Sequence, residues 1–300
     1  MRYGPLVFLA AFFALAVSWF GMVYTPQIQL GGAVQETNSV ISSDLYPSER
    51  PGLARQGLEV YRENGCFYCH SQQVSQKGTL VDLFLTDAGK TNMAVANALN
   101  EEHVGTGTFS GPGIAAGLPK AIARNLSMER AQSLAAILKN NGAKSEMHLV
   151  PIGADIERGW GVRRTVAEDF IADATVMPGS QRVGPDLANI GARSPDLNWQ
   201  LVHLYNPKLV TADSPMPPYP FLFEEKKIGS HPSPDALRPV GKFAPRAGYE
   251  IVPKPEARAL ANYLVSLRAD TPLYEAPLTP PPPPKAATNA PAATNAPAAK

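Results

Sequence analysis

The motif Cys66-Phe67-Tyr68-Cys69-His70 constrains this chain more than any other feature, because Cys-x-x-Cys-His is the attachment signature of a c-type haem. Two thiols at this spacing can each form a thioether with a porphyrin vinyl group, and the next residue supplies an imidazole to the iron. Both cysteines of the chain lie in this motif. A thioredoxin-like redox pair does not need the adjacent histidine, and a zinc site would need further ligands at matching spacing. We therefore predict one covalent haem c, attached at Cys66 and Cys69 and ligated by His70.

The N-terminal segment predicts a membrane anchor. Residues 6–24 include no charged side chain, and a helix of that length extends about 28 Å, close to the hydrocarbon thickness of a bilayer. A cleaved signal peptide is the alternative, but its apolar region is usually shorter and ends in a small-residue cleavage site. This run ends in Trp19, Phe20 and Tyr24, which are typical of a membrane interface. We expect an uncleaved anchor over residues 1–25 and a polar linker over 26–47.

Composition limits the partners and the extent of the folded core. The formal net charge is +1, and Lys and Arg form no long block, so the sequence does not indicate a nucleic-acid partner. The chain has 30 prolines, which gather around 215–220, 232–255 and 277–291. The last group contains the run 280–284 and a repeated Ala/Pro-rich sequence that cannot build a core. We expect a disordered, Pro/Ala-rich tail over 271–300.

Two amphipathic helices are predicted near the ends of the body. One leads into the haem motif with Gly57 and Tyr61 on its apolar face, and the other begins at Pro255. Gly57 allows another backbone to come close, and Leu260 or Tyr263 could fill the space beside it. This pair resembles the crossed terminal helices of class I cytochromes c, although two unrelated amphipathic helices would give the same pattern.

The predicted fold class is mainly α, with one N-terminal transmembrane helix and a class I cytochrome c-like haem domain over residues 48–270. That domain contains a large insertion over 79–147, interpreted as a covering segment or a partner surface. Within the insertion, residues 127–141 predict a helix, with apolar residues on one face and Gly142 as its terminator.

Further haem contacts are expected in the second half of the chain. In class I cytochromes c, a turn like that at Gly184-Pro185 places a proline carbonyl against the second ring nitrogen of the haem histidine. Pro185 is therefore the candidate acceptor, and an ordinary Gly-Pro turn is the alternative. For the sixth ligand, Met147, Met177 and Met216 remain open. Several methionines are set aside because they belong to the membrane end or to predicted helices of the insertion, where packing is expected: Met1, Met22, Met93 and Met128.

Met216 is favoured because flanking prolines stiffen its loop and can present a thioether at little ordering cost. A thioether stabilises ferrous iron and raises the reduction potential relative to a second imidazole. The other histidines are fallback ligands, and His203, on an apparent helix over 198–205, is interpreted as a surface or packing residue.

With these residues in hand, the chain resembles subunit II of the cbb3-type cytochrome c oxidases, a membrane-anchored mono-haem cytochrome c subunit. The resemblance covers about half of the chain and follows the anchor, Trp199, and the segments 64–73, 184–193, 203–207 and 214–220. The Cys-His-Ser-Gln continuation of the haem motif and the Met-Pro-Pro-Tyr-Pro loop are its specific parts. The long segment after the haem motif and the proline-rich tail depart from the family pattern, which puts the partner contacts in doubt.

The resemblance implies a non-catalytic electron-transfer subunit with His70 and Met216 as axial ligands. Its partners would be a catalytic haem-copper subunit that reduces oxygen to water and, as donor, another cytochrome c subunit or a soluble cytochrome c. The expected location is a bacterial cytoplasmic membrane, with the haem domain on the periplasmic side. Arg182, Arg193 or Trp199 would be near the haem propionates, although each could equally be a surface residue.

Other functions remain open at this point. The anchored cytochrome c subunit of a nitric oxide reductase shares the single span and the haem motif. A free-standing, membrane-tethered cytochrome c carrier would purify alone. A haem-based gas sensor would need a vacant or weakly held sixth position.

Overall fold

The computed structural model describes residues 3–32, 36–37, 45–50, 52–105 and 108–272. These residues mix helix and strand, so the expected mainly α architecture applies only in part. The body divides into two compact units: the haem-motif unit, built from the residues up to 78 and from 151 onward, and a second unit, built from residues 79–150. Most of the proline-rich tail and part of the linker lie outside the described residues.

The N-terminal segment is helical, as predicted. Helix α1 spans Gly4–Trp19, a π-helical turn follows at Phe20–Tyr24, and α2 spans Thr25–Gly31, beyond the predicted end of the anchor. The stretch Gly4–Gln29 is long and apolar enough to cross a membrane, and none of its most apolar part is buried in the protein. The Trp19 ring stacks on Tyr24 with their centroids 5.8 Å apart, in the position expected for an interfacial aromatic belt.

The chain is fixed to the haem-motif unit shortly before the next long helix. Strands β1, Glu36–Thr37, and β2, Leu45–Tyr46, pair antiparallel, and helix α3 spans Leu53–Glu63. The Tyr46 hydroxyl donates to Asp169 Oδ1 at 2.9 Å, and Arg50 forms an ion pair with Asp173. These contacts secure residues 45–50 to the loop that carries both aspartates.

Residues 79–150 form a unit with its own hydrophobic core. Its elements, with ends that extend slightly past those limits, are β3 Gly78–Asp87, α4 Asn92–Glu101, α5 Gly111–Ala115, β4 Lys120–Leu126, α6 Met128–Asn140 and β5 Lys144–Ile152. The sheet order is β4-β3-β5, with β3 and β4 antiparallel. Alternate β3 residues, Val81, Leu83 and Leu85, are fully buried in this core, which also includes residues of α4 and α6. Helix α6 confirms the prediction over 127–141, and Ser127 caps it by accepting from the Arg130 backbone at 3.3 Å.

The chain leaves and re-enters the haem-motif unit at adjacent positions. The Lys77 amide donates to the Ile152 carbonyl at 2.8 Å. A Cβ on Gly153 would lie only 2.9 Å from the Lys77 nitrogen, so the two backbones run in close contact. A long segment can therefore be accommodated between Lys77 and Ile152 without separating the parts of the unit on either side of it.

The rest of the haem-motif unit is helical, with one small sheet. It comprises α7 Ala154–Glu157, α8 Ile190–Arg193, α9 Leu197–Tyr205, β6 Phe223–Lys227, β7 Tyr249–Pro253 and α10 Pro255–Ser266. Strands β6 and β7 pair antiparallel, with Phe223 opposite Pro253. Short 3₁₀ turns lie at Cys66–Tyr68, Ala167–Phe170, Pro207–Leu209, Pro220–Leu222 and Gly241–Phe243.

Helices α3 and α10 pack closely, as the sequence predicted. A Cβ on Gly57 would lie 2.0 Å from the Ala259 carbonyl oxygen and 2.7 Å from Tyr263 Cβ. The Tyr61 and Tyr263 rings, both almost completely buried, lie 5.3 Å apart beside this contact. Only glycine at position 57 permits this approach of the two backbones.

We expect Gly57→Ala to destabilise the protein by about 1–3 kcal/mol, because overpacking against a rigid backbone outweighs the better helix propensity of alanine. The free energy of unfolding of the full chain in urea would measure this effect. Gly229→Ala is the matched control, because a Cβ there meets nothing within 4 Å. Equal unfolding free energies for the two variants would contradict the packing described for Gly57.

Candidate haem site

The haem motif forms a compact turn directly after α3. Gly65 adopts a left-handed conformation with φ of +65°, and residues Cys66–Tyr68 make a single 3₁₀ turn. The Cys69 and His70 amides both donate to the Cys66 carbonyl, at 3.1 and 3.0 Å. Cys66 is half-buried and Cys69 is exposed. The turn therefore carries two unpaired thiols and the His70 imidazole within a few residues of backbone.

A second segment pairs with this turn through backbone hydrogen bonds. On one side Ser180 donates to the Phe67 carbonyl at 3.0 Å, and on the other Leu187 donates to the Ser71 carbonyl at 2.8 Å. Between them, the Gly184 amide donates to the Cys69 carbonyl at 2.9 Å. This pairing brings residues 178–187 alongside the haem motif, although more than a hundred positions separate them in sequence.

The pairing places Pro185 against His70. His70 Nδ1 lies 2.8 Å from the Pro185 carbonyl oxygen, which can only accept, so Nδ1 carries the proton in this contact. Burial lowers the pKa of His70, and the Pro185 carbonyl opposes that shift only in part. The imidazole is therefore neutral at physiological pH, and Nε2 keeps its lone pair for an iron ligand.

Gly184 fixes the plane of the imidazole. A Cβ at this position would lie 2.3 Å from His70 Cε1 and 2.7 Å from Nδ1. The Gly184 backbone therefore packs directly against the ring. The sequence predicted that the Pro185 carbonyl contacts His70. The close contact between Gly184 and the imidazole ring is evident only from the three-dimensional structure.

The candidate methionines lie in different surroundings. Met147 is buried in the core of the 79–150 unit, and Met177 in the core of the haem-motif unit. Met216 is half-buried and packs against the core of the haem-motif unit, as do Cys66 and Phe67. Met93, for which the sequence suggested packing, is exposed because it lies on the outer side of the short helix α4.

The loop of Met216 comes close to the haem motif. Burial raises the pKa of Tyr219, and the nearby Cys66 and Cys69 raise it further, which places this side chain near both thiols. The Tyr219 amide donates to the Leu204 carbonyl at 3.0 Å, which attaches the loop to the end of α9. Met177 directly precedes the segment that pairs with the motif, but it is buried in the core. Met216 is therefore the half-buried candidate methionine in a loop beside the motif.

Two buried nitrogen atoms near His70 are unsatisfied. Within the part of the chain that the structure describes, His203 Nδ1 and Arg193 Nε have no hydrogen-bond partner. The His203 ring stacks on Trp199 with their centroids 5.0 Å apart, and burial together with His70 lowers the pKa of His203 to about 4. Burial also lowers the pKa of Arg193, whose charge reaches His70. The Arg193 Nε–H, and His203 Nδ1 in the tautomer that carries its proton there, suit a propionate carboxylate.

The residues present therefore fit a haem group. They provide two thiols, a neutral imidazole with an oriented free nitrogen, a nearby thioether and unsatisfied nitrogen atoms for acidic substituents. His203, interpreted from sequence as a surface or packing residue, is half-buried and packs its ring against Trp199, and its Nδ1 has no hydrogen-bond partner among the described residues.

Sequence reasoning missed two buried carboxylates behind His70. Asp186 is completely buried, and its Oδ2 accepts from the Ser71 hydroxyl at 2.5 Å and from the Gln73 amide at 2.8 Å. Asp155 is 3% exposed, and its Oδ2 accepts from the Ser75 amide at 2.7 Å. The position of Asp186, directly after Pro185, was an available signal. Nothing local distinguishes Asp155, because its partners lie far away in sequence.

Residues 145–238 match the family model described as cytochrome c oxidase, mono-heme subunit/FixO. The match confirms the resemblance to subunit II of the cbb3-type oxidases. It implies a mono-haem cytochrome c subunit of such an oxidase. The matched segment contains Pro185, His203 and Met216, and it begins after the haem motif at 66–70 and does not include it. A search among curated proteins found no match to this chain.

Proposed function

We propose that this chain is the electron-transfer subunit of a cbb3-type cytochrome c oxidase, with one haem c attached covalently to Cys66 and Cys69. His70 and Met216 would hold its iron. The observation that carries the proposal is the 2.8 Å contact between His70 Nδ1 and the Pro185 carbonyl, held by paired backbone. The family match over residues 145–238 supports the same function.

The chain's own residues define how the site works. When bound, the haem supplies a one-electron store that changes between ferric and ferrous iron. Pro185 orients the imidazole and increases its basicity, and Met216 supplies a thioether that favours the ferrous form. A haem iron held by both His70 and Met216 would offer no position for oxygen. Oxygen reduction therefore takes place in the partner, a catalytic haem-copper subunit.

The anchor sets where this transfer takes place. The apolar helix Gly4–Gln29 holds the chain in the cytoplasmic membrane of a bacterium, and the haem-motif unit lies on the periplasmic side, where c-type haem is attached. Electrons arrive from another cytochrome c, either a second subunit of the complex or a soluble carrier, and pass to the catalytic subunit.

Gentle purification from membranes in mild detergent tests this function. We expect a c-type band in the reduced-minus-oxidised spectrum, together with b-type haem and a large polytopic chain that consumes oxygen. A c-type band on this chain alone, without oxygen consumption, would instead indicate a membrane-tethered carrier. Co-purification with a subunit that reduces nitric oxide rather than oxygen would also contradict the proposal.

Replacing Met216 with leucine tests the sixth ligand, because leucine keeps the volume and removes the thioether. The reduced wild-type protein should not bind carbon monoxide at this haem, whereas the Met216→Leu variant should bind it and change the c-type spectrum. Met177→Leu is the matched control and should behave like the wild type. Binding of carbon monoxide by the wild type, with no change in the Met216 variant, would contradict the assignment.

A further inference from the structure

The guanidinium of Arg182 makes several contacts beside Ser71, the residue that follows His70. Its Nε donates to Ser71 Oγ at 3.0 Å, and its Nη1 donates to Asp155 Oδ1 at 3.2 Å. Nη2 donates to the Gln73 carbonyl and lies 2.9 Å from Asp155 Oδ2. The guanidinium carbon also lies 5.4 Å from the centroid of the Trp160 ring, a cation–π arrangement. Each of its three nitrogen atoms therefore has a partner in this part of the protein.

Arg182 is also the cation that faces both buried carboxylates. Its Nη2 lies 3.7 Å from Asp186 Oδ2, in addition to its contact with Asp155. Within the described residues, neither carboxylate forms an ion pair with another cation. Arg193, the other cation near His70, donates to the Asp186 backbone carbonyl rather than to its carboxylate.

Both carboxyl groups accept several hydrogen bonds. Burial alone would raise the pKa of Asp155, but hydrogen bonds from Ser75 and Arg182 outweigh burial and lower the pKa below its usual value. Asp186 accepts hydrogen bonds from the Ser71 hydroxyl and from the Gln73 and Ala188 backbone amides. Two carboxyl groups thus face one guanidinium.

Arg182, Asp155 and Asp186 form a charged cluster next to the proposed proximal ligand His70. Asp186 follows Pro185, whose carbonyl contacts His70 Nδ1 at 2.8 Å, and Ser71 follows His70. The charge of Asp186 interacts with the His70 ring and raises its pKa, against the larger effect of burial. A fixed negative charge near a haem iron stabilises the more positive ferric state, and a fixed positive charge stabilises the ferrous state.

We propose that Arg182 tunes the reduction potential of the haem by offsetting the charges of Asp155 and Asp186 behind His70. The inference rests on the proposed function, since it presupposes a haem ligated by His70. Arg182 acts through Asp155, Asp186 and Ser71, the residue that follows His70. One uncompensated elementary charge about 10 Å away, at an effective dielectric constant of about 20, changes the ferric-to-ferrous ratio on the order of ten-fold.

Redox titration of the c-type band in the purified complex tests the proposal in four forms: wild type, Arg182→Gln, Arg182→Lys and Asp186→Asn. Arg182→Gln should lower the midpoint potential, because it leaves the carboxylates uncompensated. Asp186→Asn should raise it, because it removes a negative charge. Arg182→Lys keeps the charge and should stay close to the wild type. If Asp186→Asn does not accumulate, Asp155→Asn replaces it and should shift the potential upward.

The signs separate electrostatic tuning from a structural role. A structural role alone would shift the Lys and Gln variants alike and would not give opposite shifts at positions 182 and 186. Equal potentials in all forms, or shifts of one sign throughout, would overturn the inference while leaving the proposed function intact. A wild-type protein without a c-type band would instead overturn the proposed function.

Discussion

The hydrogen bond between His70 and the Pro185 carbonyl is the contact on which the candidate site depends. It selects the protonated nitrogen of the ring and so leaves Nε2 available to a metal. A single contact of this kind is worth only about 1 kcal/mol, too little to hold two distant segments together. The backbone pairing of residues 67–72 with 178–187 provides that attachment, and the His70–Pro185 contact results from it.

Residues 79–150 are inserted between the two paired segments without disrupting their backbone pairing. Residues 79–150 have their own core, so their folding does not draw apolar residues from the haem-motif unit. Their entry and exit points are tied by the Lys77–Ile152 hydrogen bond at 2.8 Å. The close contact of α3 with α10 at Gly57 then holds the helix that leads into the motif. The motif is thus fixed from both of its flanks.

Local patterns predicted the elements that depend on local chemistry. The apolar N-terminal helix, helix α6 and the close approach at Gly57 all follow from composition and periodicity. The sheet of the 79–150 unit was missed, although Val81, Leu83 and Leu85 alternate with more exposed residues in the manner of a half-buried strand. The network of Asp155, Ser75 and Arg182 was not predictable, because its members come from separate segments that only the tertiary fold brings together.

We propose that this chain carries one haem bound covalently through the cysteines of its motif. Intact-mass spectrometry of the purified, denatured chain measures this attachment. We expect a mass that exceeds the polypeptide by one haem, and an unmodified mass when both Cys66 and Cys69 are replaced by alanine. A wild-type chain with the mass of the bare polypeptide, after expression in a host able to attach c-type haem, would contradict it.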